Sequence, residues 1–535
     1  MATAGIHVVW FKRDLRVHDH APLTLAAEAG WVLPVFAIEP GQWQAPDSAL
    51  RHWQFAADSL VDLKAALSAR GLPLCIWEGD VLALLAALKA HYGALTLYSH
   101  GETGNAWSYA RDVAVGEWCR AEGVVWHEHR QVGVVRGLKS RVDQSAWEAQ
   151  WEALMQAPPF KAPASAQPAP GWAAFHHRPV EELPTLTLGV DTTPCPERQR
   201  GGRRAGRALW CGFITQRGER YRGSISKPLR AEVHGSRLSP HLAWGTLSMR
   251  EVVRSLRHQR EKHAEKTRWA HSLRALASRL HWHCHFIQKL ESEPSLETHT
   301  LHPALKGLRE RDPQHPRLLA WKRGQTGVPL VDACMRCLIH TGWINFRMRA
   351  MLISFATFGL GLHWREPGLH LARLFTDFEP GIHYPQIQMQ SGATGFNTLR
   401  IYNPIKQAED HDPSGEFVAR WVPELNVLPV EWRAKPWALP ESLQTRYAFI
   451  PGEHYPIPFE FEAEAQRWKT RIFEMSHTPE AKAISQTLMA RLASHRRPSA
   501  RRGRAKPVDH RQLALFEQAS ASANAGVSPN DETPL

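Results

Sequence analysis

The sequence predicts a two-part protein: a parallel α/β domain over 1–135 and, after a linker over 136–205, an all-helical domain over 206–490, ending in a basic tail over 491–535. Three observations carry this expectation. Short apolar runs alternate with helical stretches in the first 135 residues, little beyond residue 206 alternates with period two, and Pro, Ala, Gly and Arg dominate the text between.

The runs themselves set the order of elements. HVVWF (7–11), VLPVFAI (32–38), LPLCIW (72–77) and ALTLYSH (94–100) read as strands. APLTLAAEA and SALRHWQFAADSLVDLKAALSARG read as helices, the second stopping at Gly71. A sheet of this kind places ligands beyond the carboxyl ends of its strands, yet neither GxGxxG nor a P-loop occurs here. APPFKAPASAQPAPGW and CPERQRGGRRAGR, within about 155 to 205, read as a surface linker. Helical spacing then runs through 249–290 and 329–364, and beyond about 495 the apolar periodicity is lost, so a disordered tail is expected.

Composition narrows the function classes. The chain has 535 residues, 43 % of them apolar, and no apolar run reaches the roughly 18 to 20 residues that span a bilayer. Lys12, Arg13 and Asp14 interrupt the first apolar run, so no signal peptide is expected and a cytoplasmic location is the default. Seven scattered cysteines fit a reducing compartment. Cys334 and Cys337 form a local pair open to redox or metal chemistry, but the helical spacing of Leu330, Val331, Met335 and Leu338 favours two thiols on a buried helix. HWHCH (281–285) lacks a second ligand cluster, and no metal is expected. The net charge of +13 points to a polyanionic partner, although RRPSARRGRAKPVDHR (496–511) alone holds seven basic residues against one acid.

Three stretches in fixed order carry a resemblance: VVWFKRDLRVHDHAPL (8–23), GSRLSPHLAWGTLS (235–248), and TGVPLVDACMRCLIHTGWINFRMR (326–349) continuing to LRIYNPIKQAEDHDPSGEFVARWVPEL (399–425). Over about residues 5 to 480 the chain resembles the DNA photolyase and cryptochrome family. The resemblance implies a Rossmann-like α/β domain that can hold an antenna pigment, a folate or a deazaflavin, near 99–112, and a helical domain that binds FAD. It assigns Tyr221, Gly235, Ser236, Arg237, Leu238 and Ser239 to the FAD pyrophosphate, for which hydroxyls, backbone N–H groups and a guanidinium are suitable donors. A serine cap on the helix PHLAWG would use the same groups, and both readings stand.

DFEPGIHYPQIQMQSG (377–392) falls on the family loop beside the flavin ring. Asp377 matches its first acid and is expected to pair with Arg349, while Glu379 takes the place of the second and is expected to accept from the ribose or the ring imide. His383 stands where the family tunes the flavin, either as a titrating group or as a packed, hydrogen-bonded histidine. The repair pocket of the family departs here. Arg279 replaces a glutamate, Phe346 an asparagine, Ala350 a methionine and Met389 a tryptophan, whereas Trp282 keeps its identity for stacking on a base. In the electron route to the flavin, Trp364 matches the middle tryptophan, Ile387 and Arg311 replace its neighbours, and Trp343 or Tyr384 offers a detour.

Arg347 and Arg400 match phosphate-binding arginines, which makes UV-damaged DNA the expected partner. In the tail, Gln512, Leu513, Leu515 and Phe516 resemble the QLxLF peptide by which bacterial repair proteins dock onto the DNA polymerase sliding clamp. The expected function is an FAD-dependent, blue-light DNA photolyase acting on pyrimidine lesions. A cryptochrome-type photoreceptor without repair, or a DNA-binding flavoprotein that has lost light chemistry, are the alternatives.

Overall fold

The computed structural model describes residues 5–138, 141–264 and 267–492. The basic run 496–511 and the QLALF peptide lie outside the described residues. Five strands, β1 (Ile6–Phe11), β2 (Trp31–Ile38), β3 (Cys75–Glu78), β4 (Leu95–His100) and β5 (Val125–His129), form one sheet in the order β3-β2-β1-β4-β5. Every pairing is parallel, with Val8 opposite Leu33 on one side and Leu97 on the other. Helices α1 (Ala21–Ala29), α2 (Leu50–Ser68), α3 (Val81–Tyr92) and α4 (Ala106–Ala121) connect them. Because helices cover both faces, β1 is apolar on both: Val8 and Trp10 enter one core, Val9 and Phe11 the other. Sequence reading passed over β5, an edge strand whose VWHEH is largely exposed and lacks an apolar face.

The carboxyl ends of β1 and β4 meet where the strand order reverses, and charged groups are buried there. Asp14 Oδ2 accepts from His20 Nε2 at 3.0 Å and from His100 Nδ1 at 2.8 Å, while Oδ1 accepts from the Lys12 amide at 2.7 Å. Burial pushes His100 down to about 3 and holds His20 low, so both imidazoles are neutral donors. The three side chains are spaced like metal ligands. However, His20 Nδ1 accepts from the Leu23 amide at 3.1 Å and caps α1, which puts the ring proton on Nε2 and leaves no lone pair there for a cation.

The stretch read as a linker is tied down along the sheet. Val32 donates to Gln167 at 2.8 Å, Ala169 to Val32 at 2.9 Å, and His177 to Ile76 at 2.8 Å, and the range 136–205 read as linker also contains helix α5 (Arg141–Gln156). Backbone groups of a sheet edge and of a proline-rich strand satisfy one another in this way.

The helical part comprises, among others, α6 (Arg203–Thr215), α7 (Tyr221–Ser224), α8 (Ser239–Ala243), α9 (Met249–Glu261), α10 (Arg268–Ser292), α11 (Pro329–Thr341), α12 (Phe346–Ser354), α13 (Arg365–Leu374), α14 (Pro380–Gln390) and α15 (Phe461–Ser476). Ser248 and Glu251 form a capping box that starts α9. Cys334 and Cys337 are buried on α11, and burial raises both thiols, as expected of packed, inert cysteines. Among the described residues no helix is long and apolar enough to cross a membrane.

The turn after β1 joins the two parts. Leu15 donates its amide to Trp244 at 3.2 Å, and Arg16 Nη1 donates to the Gly245 carbonyl at 2.8 Å. Gly245 has φ +60°, and a Cβ there would lie 2.3 Å from the Arg13 carbonyl, so this close approach requires glycine.

Replacing Asp14 with Ala removes the acceptor of two buried imidazoles and an amide. Asp14→Ala is expected to lose about 3 kcal/mol or more in urea unfolding.

Candidate functional site

The site begins at the end of α11. Gly342 adopts φ +69°, and a Cβ on it would come within 2.1 Å of Thr376 Oγ1, so only glycine lets the Asp377 loop lie against this turn. Thr376 donates its amide to the Gly342 carbonyl at 2.9 Å, which places Trp343 beside that loop. From α12, Arg349 then reaches Asp377 in a two-pronged pair, Nη1 to Oδ1 at 3.0 Å and Nη2 to Oδ2 at 2.8 Å. Arg349 is further fixed by its Nε bond to the Ile344 carbonyl at 2.7 Å and by the Phe375 ring 4.1 Å below it.

Opposite lies the turn that precedes α8. Arg237 has φ +58°, a left-handed conformation that costs a non-glycine residue about 1 to 3 kcal/mol. Gln199 holds it from both ends, accepting from Nε at 3.0 Å and donating to the Arg237 carbonyl at 2.8 Å. The guanidinium lies 4.0 Å from the Trp343 ring centroid, and burial pushes its pKa down to about 10. Among the described residues no carboxylate forms an ion pair with it. Leu238 is buried at the cap position of α8 and makes no side-chain cap. Ser239 is the first helical residue, so its hydroxyl is not taken up in capping. The carbonyls of Gly235 and Ser236 both accept from Arg217, the second at 3.1 Å.

Around this centre several buried polar atoms lack partners among the described residues: Asn345 Oδ1, His283 Nδ1 and Thr376 Oγ1. His283 on α10 feels the charge of Asp377, and burial pushes it down to about 4. Glu379, beyond Phe378, is pushed up to about 7 by burial, against the opposing pull of Arg13.

Residues 7–137 match the family model "DNA photolyase", and residues 276–474 match "FAD binding domain of DNA photolyase". The chain belongs to the DNA photolyase and cryptochrome family. It is 29 % identical over 485 residues to a cryptochrome DASH of Gloeobacter violaceus, covering 84 % of this chain and 92 % of that one. It is equally 29 % identical over 479 residues to a deoxyribodipyrimidine photo-lyase of Streptomyces griseus, covering 86 % and 98 %. In fold it is similar to the crystal structure of a bacterial class III photolyase from Agrobacterium tumefaciens, with TM-score 0.76 at 24 % identity over 89 % of this chain and 99 % of that one.

FAD is the cofactor of this family domain, and the residues present suit it. A buried guanidinium without a carboxylate partner among the described residues, hydroxyls of Ser236 and Ser239, and orphaned buried acceptors and donors form a set that a dinucleotide can satisfy.

The other residues that the resemblance singles out fall on neighbouring elements. Tyr221 is buried at the start of α7, edge-on to Phe213 at 5.6 Å, and feels the charge of Arg279 on α10. Trp282, one turn on, packs against His285 at 5.0 Å and Phe286 at 5.7 Å. His383 on α14 is buried, bonds the Gly368 carbonyl through Nε2 at 2.9 Å and is pushed by burial down to about 4, so it is a neutral, packed histidine near pH 7. Trp364 donates Nε1 to Thr300 at 3.0 Å, Ile387 is buried, and Arg311 is paired at the surface with Glu366.

Arg347 stands 5.8 Å from the Tyr402 ring, and Ser354 links this corner to the Arg400 carbonyl at 3.3 Å. Arg347, Lys227 and Lys406 together surround His411, whose pKa burial and these charges push down to about 4. A cavity of about 570 Å³, lined by Glu102, Tyr109, Asp112, Trp126, Arg136 and Glu291 among others, lies along the stretch that the resemblance marks for an antenna pigment.

Sequence reasoning missed Gln199 and His283. Gln199 sits in a Pro- and Arg-rich segment with no periodic signal, and His283 was one of several histidines in HWHCH; only the fold sets them against Arg237 and Asp377.

Glu379 has its pKa raised in the folded state, from 4.5 to about 7, so its contribution to stability is present below about pH 4.5 and is lost as pH rises through about 7. Glu379→Gln is expected to flatten the unfolding free energy across that window and to make the protein more stable than the parent above it.

Proposed function

We propose that the chain is a DNA photolyase that restores UV-induced pyrimidine lesions by light-driven electron transfer. The observation that supports repair over signalling is the placement of two arginines on α12: Arg349 turns to Asp377, while Arg347, two residues earlier, acts with Lys227 on His411, beside Lys406, whose charge is already met by Asp410 and Glu409. One short helix would thus serve both the cofactor and a polyanion.

Bound reduced FAD, excited by blue light, supplies the electron that opens the lesion. Arg237, Ser236, Ser239 and Tyr221 would hold its pyrophosphate, and Asp377 holds the Arg349 guanidinium in place. Glu379 accepts from the ribose or ring imide when ionised. Trp282 stacks on the extruded base, and Arg347 and Arg400 hold the backbone on either side of it. His383 acts through its fixed dipole and bulk, since it is neutral near pH 7. Arg279 places a positive charge where the family has an acid, and so favours a lesion that becomes an anion on accepting an electron.

The test is repair of a dimer-containing single-stranded oligonucleotide under blue light by protein whose flavin has been reduced beforehand. Restored pyrimidines support the reading. Tight DNA binding without repair moves this lesion out of reach and favours a photoreceptor of the cryptochrome type, the outcome that Arg279 would then explain. Arg347→Ala is expected to weaken DNA binding and to lower the slope of log affinity against log salt by about 1. Arg237→Met is expected to lower FAD retention about tenfold or more, read as flavin lost on dialysis. In the tail, Phe516→Ala is expected to abolish binding to the sliding clamp if the QLALF peptide docks there.

A further inference from the structure

Tyr384 is fully buried on α14, one residue beyond His383. Its hydroxyl donates to Asp47 Oδ2 at 2.6 Å, a buried carboxylate from the α/β part, whose other oxygen accepts from Asn105 Nδ2 at 2.9 Å. Burial raises the phenol well above its ordinary value, so Tyr384 is a neutral hydroxyl donor at any physiological pH. The ring touches His383 edge-on at 5.3 Å and Phe378 at 6.1 Å, which places it against the Asp377 loop. On its other side the Arg365 guanidinium lies 5.4 Å from the Tyr384 ring and 5.9 Å from the Trp364 ring, between the two aromatics. Ile387, where the family carries the tryptophan nearest the flavin, sits one turn further along the same helix and cannot be oxidised.

We propose that Tyr384 and Asp47 form a proton-coupled redox pair that replaces the missing tryptophan as electron donor to the light-excited flavin. This rests on the light-driven reading above. A tyrosine loses an electron readily only when its proton leaves with it, because the radical cation is strongly acidic, and a buried phenol has no water to receive that proton. Here Tyr384 gives one electron to the flavin, its O–H bond breaks, and the proton passes to Asp47 Oδ2 along the existing hydrogen bond. The products are a neutral phenoxyl and a neutral carboxylic acid, so no net charge is left on the buried pair. Return of electron and proton regenerates the pair; an external thiol, oxidised by one electron, discharges it otherwise.

The experiment is electron paramagnetic resonance on the illuminated, FAD-loaded protein, with flavin reduction followed by absorbance. A tyrosyl signal that changes with ring-deuterated tyrosine, disappears in Tyr384→Phe and forms more slowly in D2O is expected. Asp47→Asn keeps an acceptor for the hydroxyl but not for the proton, and is expected to lower the radical yield about tenfold. Flavin reduction at parent rate in Tyr384→Phe, with a tryptophanyl signal only, overturns the pair and leaves the light-driven reading intact. Should Tyr384→Phe lose flavin, Asp47→Asn decides: an undiminished tyrosyl signal insensitive to D2O overturns the proposal. A parent protein whose flavin does not respond to light overturns both.

Discussion

The structure depends on one guanidinium, that of Arg13, in the turn after the first strand. It donates to the Ala243 carbonyl at 3.0 Å, to the carbonyl of Phe378 within the Asp377 loop, and lies 5.0 Å from the Trp244 ring. A single side chain therefore ties the sheet to the turn after α8 and to the loop that carries both acids of the site. Its charge also acts on Glu379, against the effect of burial on that carboxyl. Carbonyl partners suit a partly buried arginine because they satisfy its donors without creating a buried charge beside it. Arg51 repeats the device from α2, donating to the Leu338 and Leu374 carbonyls at 3.2 Å and 2.9 Å.

The same economy of charge shapes the cofactor site. Asp377 is used up by Arg349, and Arg237 is held by an amide, an aromatic face and backbone, so one cation is neutralised and the other is left to its ligand. An unpaired buried guanidinium is unfavourable, which is the physical ground on which Arg237 is proposed to hold the pyrophosphate. The α10 helix adds three histidines, His281, His283 and His285, and burial holds all three below their ordinary pKa.

Buried aromatic and carboxylate groups recur where the two parts of the chain meet. Tyr384 meets Asp47 across that boundary as Arg13 meets Phe378, and Glu297, pushed up to about 7 by burial beside Asp47, bonds the Ala106 amide at 2.6 Å. The boundary therefore carries buried polar pairs beside an apolar contact, in which Trp244 joins the core of the α/β part and stacks on Trp43. Such an interface holds a fixed geometry because each slip would leave a buried donor or acceptor unmatched.

The sequence by itself determined the α/β and helical division, because short apolar runs and a period of 3.6 residues are local properties of the chain, and it determined the family through RDLR, GSRLS and TGW, whose residues are bound to their neighbours in the chain. It also named both members of the Arg349–Asp377 pair. It passed over β5, whose residues lie at an exposed sheet edge without apolar pattern, and the docking of 157–202, where the satisfied groups are backbone and carry no side-chain signature. Only the tertiary structure decided that Gln199 supports Arg237, that Asp47 receives the hydroxyl of Tyr384 and that His383 is neutral. Each of these depends on residues far apart in the chain, or on burial, which no local pattern encodes.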